Sequence, residues 1–128
     1  MHRNLFCLIV DDEEPSRLII MRNLDLLNVD YDFAKNGIEA IEKLKENRFD
    51  FVLMDISMPG PDGMEAVRWI RNSSDDYHKN LPIFALTSYS GEERTEEILD
   101  AGMTEHMTKP FDVVRFKEII KKYLEVTL

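Results

Sequence analysis

The first apolar positions of the chain form an uninterrupted run, Leu5-Phe6-Cys7-Leu8-Ile9-Val10, which stops at four acidic residues, Asp11 to Glu14. A continuous run of this length predicts a strand buried on both faces, because a half-exposed strand would alternate. Pro15, tolerated in a first helical turn, opens a stretch to Leu27 in which Leu18, Ile20, Met21, Leu24 and Leu27 fall near helical spacing. Tyr31 to Ala34 alternates weakly and ends at the turn signal Asn36-Gly37, after which Ile38, Ile41 and Leu44 recur every three residues, predicting a short strand and a second helix. Phe51-Val52-Leu53-Met54 repeats the buried-strand signature, ends at Asp55, and leads through Met58 to Gly63 into Met64, Val67 and Ile70. Pro82 to Leu86 is a fourth apolar run and Glu105 to Thr108 a weaker fifth. Ser90 and Glu93 stand at capping-box spacing, so a helix is predicted to begin there, with no apolar anchor before Ile98 and Leu99. Phe111 to Leu124 carries Val113, Phe116, Ile120 and Tyr123 on one helical face, whereas Asn72 to Asn80 reads as a polar, mobile surface loop.

Five strands alternating with five helices require crossover connections, which make the sheet parallel and put helices on both of its faces. The predicted fold is α/β: a doubly wound five-stranded parallel sheet of order 2-1-3-4-5, a flavodoxin-like three-layer sandwich. A length of 128 residues fits one core, so residues 1–128 are read as a single domain. With 44% hydrophobic and 32% charged residues the chain is neither a linker nor a disordered tail. Sixteen Lys and Arg against twenty-five Asp and Glu give a net charge of −9, which argues against direct binding to nucleic acid or anionic lipid. The single cysteine, Cys7, excludes an intrachain disulfide and fits a reducing, cytoplasmic setting; in a buried strand it reads as a small core hydrophobe. Leu5 to Val10 is too short to cross a bilayer, and no signal peptide or membrane insertion is expected.

In doubly wound sheets ligands bind beyond the carboxyl ends of the strands, where strand order reverses; here that is between strands one and three. Strand one ends in Asp11-Asp12, strand three in Asp55, strand four in Thr87-Ser88 and strand five in Lys109-Pro110. Each residue alone has an ordinary structural role, but crowded carboxylates repel one another, and such crowding is the mark of a bound cation. An all-oxygen site suits a hard divalent ion, with Mg²⁺ the usual choice where phosphate is handled. Asp55 is placed to act as a nucleophile that forms an aspartyl phosphate, with Lys109 and the Thr87 hydroxyl available to the phosphoryl oxygens.

The set Ile9-Val10-Asp11-Asp12-Glu13, Met54-Asp55-Ile56-Ser57-Met58-Pro59-Gly60-Pro61-Asp62-Gly63, Ala85-Leu86-Thr87-Ser88 and Lys109-Pro110-Phe111 resembles the receiver domain of two-component response regulators, over essentially the whole chain. The resemblance implies that Asp55 is the phosphoacceptor and that Asp12 and Asp55 ligate Mg²⁺. It implies further that Asp11 holds a metal-bound water and that the Ser57 carbonyl completes the ligands. Thr87 matches the family's switch hydroxyl, Lys109 its ammonium, and Pro110 the residue that follows through a cis peptide bond. The implied function is to accept a phosphoryl group from a histidine kinase or histidine phosphotransfer protein, change conformation, act on a downstream protein or output domain, and lose the group by hydrolysis. A phosphorylation-dependent dimer belongs to the same set of expectations. Such a module is a phosphoacceptor rather than an enzyme.

Two positions depart from the commonest family pattern. His106 stands where an aromatic switch residue is usual, and it reads equally as a partly exposed strand-end histidine; Ser57 lies beside the path of the incoming donor. The helix predicted to begin at Ser90 is read either as an element that moves on phosphorylation or as an ordinary solvated helix, and Trp69 and Tyr89 as partner contacts or ordinary surface aromatics. A phosphohydrolase of the haloacid dehalogenase type is disfavoured, because Asp55 lies on the third strand and Ser57 stands where a second acid is needed. A receiver-like domain that serves only association is disfavoured by the intact acidic, hydroxyl and ammonium set. A nucleotide or flavin module lacks its Gly-rich loop after strand one.

Overall fold

The computed structural model describes residues 4–56, 62–88 and 92–128, with backbone alone at 62–63 and 92–95. The order is β1 (Phe6–Val10), α1 (Glu14–Leu26), β2 (Asp30–Ala34), α2 (Gly37–Glu46), β3 (Phe51–Asp55) and α3 (Asp62–Asn72), followed by α4 (Asp76–Asn80), β4 (Ile83–Thr87), α5 (Glu92–Asp100), β5 (Glu105–Thr108) and α6 (Val113–Leu124). The five strands form one parallel sheet of order β2-β1-β3-β4-β5. This is the doubly wound topology that the alternating pattern predicts.

Period-two alternation divides the apolar runs between two cores. Leu8, Val10, Val52, Met54, Ile83 and Ala85 face α2, α3 and α5, meeting Ala40, Leu44, Val67, Ile70 and Ile98. Cys7, Ile9, Phe51, Leu53, Phe84 and Leu86 face α1 and α6, meeting Ile20, Leu24, Phe116, Ile119 and Ile120. Cys7 is fully buried, as a core residue should be.

On each of two helices one apolar residue of the face read in the sequence turns outward. On α1 the buried stripe is Arg17, Ile20 and Leu24, an i, i+3, i+7 set, and Leu18 turns outward. On α2 it is Gly37, Ala40 and Leu44, and Ile38 is 71% exposed. Ile20, Leu24 and Leu44 stay buried, and Met21, Leu27 and Ile41 pack at their edge; Arg17, Gly37 and Ala40 complete the faces toward the sheet, and Leu18 and Ile38 are left on the rim.

The segment read as a mobile loop contains α4. Asp75 caps it by accepting the Tyr77 N–H at 2.9 Å, which turns Tyr77 and His78 inward. The Tyr77 hydroxyl donates to the Phe49 carbonyl at 2.7 Å, and His78 packs its ring on Trp69 with centroids 5.4 Å apart. Trp69 is thus half-buried against the core, with the Lys45 ammonium 5.5 Å over its ring, rather than free on the surface. Among the described side chains of α5, Ile98 alone is buried. Ser90, with the capping box it would form, and Tyr89 lie outside the described residues.

Candidate functional site

The C-terminal ends of β1, β3, β4 and β5 bring Asp11, Asp12, Asp55, Thr87 and Lys109 to one edge of the sheet. Parallel register does this: Val10 pairs with Met54, Asp55 with Leu86, and Thr87 with Thr108, so the residues that end each strand emerge side by side. Asp11 and Asp55 are buried and Asp12 is exposed, yet ligand oxygens of all three lie within 4.8 Å of one another. Thr87 is buried at the end of β4, and its carbonyl accepts the Lys109 N–H at 2.8 Å. The Lys109 ammonium reaches back across the edge to Asp55 Oδ2 at 2.8 Å. The Lys109–Pro110 peptide bond is cis.

Asp11 is held tightly. Its N–H donates to the Ala34 carbonyl at 3.0 Å, and its Oδ1 accepts the Glu13 N–H at 2.9 Å. Its Oδ2 is buried without a hydrogen-bond partner among the described residues. Buried carboxylate oxygens are seldom left in this condition, because each costs its full desolvation. Burial raises the Asp11 carboxyl above the ordinary carboxylate range; the Ser16 hydroxyl and Glu13 N–H pull it down, Asp55 pushes it up and Lys109 pulls it down, leaving it raised. Burial works to lower the Lys109 ammonium, but the hydrogen bond and charge of Asp55, joined by Asp11 and Glu13, outweigh burial and raise it. Lys109 is therefore a firmly protonated cation facing a carboxylate set that outnumbers it.

An orphaned, buried carboxylate oxygen beside two further carboxylates fits the donor chemistry of a hard divalent cation. The match of chemistry, topology and position with a known family is then direct. The family model of the response regulator receiver domain matches residues 7–121. The chain belongs to that family. It is a receiver domain of two-component phosphorelay signalling, and similarity to individual members runs along its whole length. It is 32% identical to the polar-differentiation response regulator DivK of Brucella anthropi, covering 91% of this chain and 94% of DivK. The receiver domain of the sensor histidine kinase PA1611 of Pseudomonas aeruginosa, solved with a magnesium ion coordinated in its active site cleft, superposes with a TM-score of 0.85 at 28% identity, covering 97% of this chain and 100% of that one. A co-crystal of the Saccharomyces cerevisiae histidine phosphotransfer signaling protein Ypd1 with the receiver domain of Ssk1, its downstream response regulator, gives a TM-score of 0.82 at 26% identity over 96% of this chain and 90% of that one. Other curated relatives are longer, and this receiver domain spans from 9% to 48% of them. No described helix is long and apolar enough to cross a membrane.

Of the residues read from the sequence, Ser57 lies outside the described residues. His106 is half-buried on β5, in register with Ala85. One residue at this edge escaped the sequence reading: Arg17 is buried, and its Nη1 donates to the Asp11 carbonyl at 2.9 Å. Its place in the i, i+3, i+7 stripe with Ile20 and Leu24 was the available signal.

Proposed function

We propose that this receiver domain accepts a phosphoryl group on Asp55 from the phosphohistidine of a histidine kinase or histidine phosphotransfer protein. In the transfer a carboxylate oxygen of Asp55 forms the new P–O bond, the P–N bond to the donor imidazole breaks, and the imidazole leaves with the electron pair. The observation that carries this reading is a buried carboxylate, Asp55, with an ammonium at 2.8 Å and two further carboxylates beside it. Asp11, Asp12 and Asp55, with the Ser57 carbonyl, would hold Mg²⁺, Asp11 through a bound water. Bound, the ion supplies positive charge to compensate phosphoryl oxygens.

The remaining work belongs to the chain. Lys109, freed from Asp55 Oδ2 when that carboxylate becomes an acyl phosphate, pairs with a second phosphoryl oxygen, and the Thr87 hydroxyl donates to a third. Glu13, Ile19, Pro110 and Phe111 line a groove of about 450 Å³ that shares Lys109 with the cluster, a shelf on which a donor protein can sit. The domain catalyses its own phosphorylation and dephosphorylation without being an enzyme acting on a separate substrate. Thr87 and His106 transmit the change toward α5, which buries Ile98 alone among its described side chains, and then to a downstream protein, an output domain or a second copy. Residues 1–128 act as one unit in a cytoplasmic setting.

The test is intact-protein mass spectrometry after incubation with a small-molecule phosphodonor, with and without Mg²⁺. A single Mg²⁺-dependent adduct, lost at alkaline pH and absent from Asp55→Asn, is the expected result. An adduct that persists in Asp55→Asn would falsify the assignment.

A further inference from the structure

We infer that Arg17 is a positioning residue for the acid cluster: it fixes the peptide plane between Asp11 and Asp12 and so sets the directions of both carboxylates. This inference rests on the proposed metal-binding role of that cluster. The side chain is 7% exposed, and it makes no ion pair among the described residues. A guanidinium buried without a counter-ion carries a desolvation cost that an apolar side chain of similar size would avoid, so packing alone does not account for it. What it touches is specific. Nη1 donates to the Asp11 carbonyl at 2.9 Å, and the guanidinium carbon stands 4.7 Å over the Phe33 ring, a cation–π contact from β2 that holds the fork in place.

The Asp11 carbonyl belongs to the planar peptide unit that joins Asp11 to Asp12. β1 has ended at Val10, and α1 does not begin until Glu14, so no strand or helix ladder holds that plane. The Asp11 N–H is tied to the Ala34 carbonyl and its Oδ1 to the Glu13 N–H, both backbone groups, whereas the carbonyl is tied by the Arg17 side chain. Arg17 therefore completes the restraint on Asp11 and leaves only the orphaned Oδ2 for a ligand. Partners of this kind, which orient ligands without touching the metal, typically govern affinity strongly.

The test measures Mg²⁺ affinity from the amide chemical shifts of Asp12 and Asp55 as MgCl₂ is added. It compares wild type, Arg17→Met, Arg17→Lys and Phe33→Leu, and follows phosphorylation by a small-molecule donor in parallel. In folded Arg17→Met the dissociation constant for Mg²⁺ is expected to rise roughly tenfold or more. Phosphorylation should slow at low MgCl₂ and recover as MgCl₂ saturates, and Arg17→Lys, which keeps a cationic donor, should restore part of the affinity. A purely structural role would lower the unfolding midpoint and leave the affinity of the folded protein unchanged; that result overturns the inference. If Arg17→Met does not fold, Phe33→Leu decides, since it loosens the clamp and keeps the donor: weakened Mg²⁺ binding supports the role, and unchanged binding overturns it. A wild-type protein that gives no Mg²⁺ response overturns the site reading itself, and the positioning role with it.

Discussion

At the N-terminal edge of the sheet, polar groups close on one another: Asp50 Oδ2 takes the Phe6 N–H at 2.7 Å, Thr104 Oγ1 takes the Ile83 N–H at 3.0 Å, and the Tyr77 hydroxyl both donates to the Phe49 carbonyl and accepts its N–H. At the C-terminal edge of the same strands, three carboxylates crowd within 4.8 Å around one ammonium, and a buried oxygen of Asp11 is left over. Both edges face the same problem, since every strand end leaves backbone groups and a change of direction to accommodate. One edge settles it internally and gains stability. The other keeps polarity in excess of what the chain can satisfy, which costs stability and reserves binding capacity for something not made of protein. Substitutions at the first edge should therefore lower the unfolding midpoint and spare phosphoryl chemistry, and substitutions at the second should impair phosphoryl chemistry without lowering the midpoint.

The largest effect belongs to Lys109→Met. Without the ammonium at 2.8 Å from Asp55, phosphoryl charge loses one of its compensating groups, and adduct formation should slow by roughly 10²- to 10³-fold, read by intact mass against time. A rate within a few-fold of wild type would put the chemistry elsewhere. The matching change at the other edge is Tyr77→Phe, which removes both hydrogen bonds to Phe49, a residue only 2% exposed. Leaving that buried N–H and carbonyl unpaired should cost about 2 kcal/mol in urea unfolding, with the phosphorylation rate unaltered.

The two edges were unequally legible in the sequence. The C-terminal edge announces itself, because Asp11, Asp12, Asp55 and Thr87 follow apolar runs and Lys109 follows the weaker fifth strand, and a parallel sheet then has no choice but to gather them. The N-terminal edge depends on α4, whose single turn is too short to show a period; Asp75 as a cap and Tyr77 as a bridge to Phe49 are visible only once the chain is folded. The faces of α1 and α2 depart from the sequence pattern at one position each, for a related reason. Ile38 on α2 and Leu18 on α1 fall at plausible helical spacing beside residues that are buried, and period alone does not exclude them. What chose was the polar residue that had to reach inward, Arg17, and the small residues that allow contact, Gly37 and Ala40.

Gly102 lies at the same N-terminal edge and carries a smaller effect. It joins α5 to β5 with φ of 102°, and a Cβ there would stand 2.8 Å from Arg71 Cγ. Arg71 is committed at that spot, since Nε donates to the Gly102 carbonyl at 2.7 Å and Nη1 to the His78 carbonyl at 2.9 Å, fastening α3 to both the α4 segment and the β5 approach. Gly102→Ala combines backbone strain with a contact that the anchored arginine can relieve only by loosening those bonds. A loss of about 1.5 kcal/mol in the urea midpoint is expected, again with phosphorylation kept. Loss of phosphorylation in a folded Gly102→Ala protein would mean that the two edges are coupled.

The smallest effect has the opposite sign and tests whether the C-terminal edge stores unfavourable energy. Burial raises the Asp11 carboxyl above its ordinary value of 3.8, with Asp55 adding to the rise against the opposing Ser16, Glu13 and Lys109. The folded protein therefore holds this proton more tightly than the unfolded chain does. Asp11 accordingly lowers stability as pH climbs from the ordinary value through the raised one, and the full cost persists at neutral pH. Asp11→Asn removes the ionisation and keeps an oxygen for the Glu13 N–H. In metal-free buffer it should be more stable than wild type by about 1 kcal/mol at neutral pH, with a flatter stability profile on the acid side. Added Mg²⁺ should reverse the order, because a ligand of the folded state stabilises by mass action only the protein that binds it. If Asp11→Asn is instead the less stable protein in metal-free buffer at neutral pH, the carboxylate crowding is not a cost, and the contrast between the two edges fails at its most exposed point.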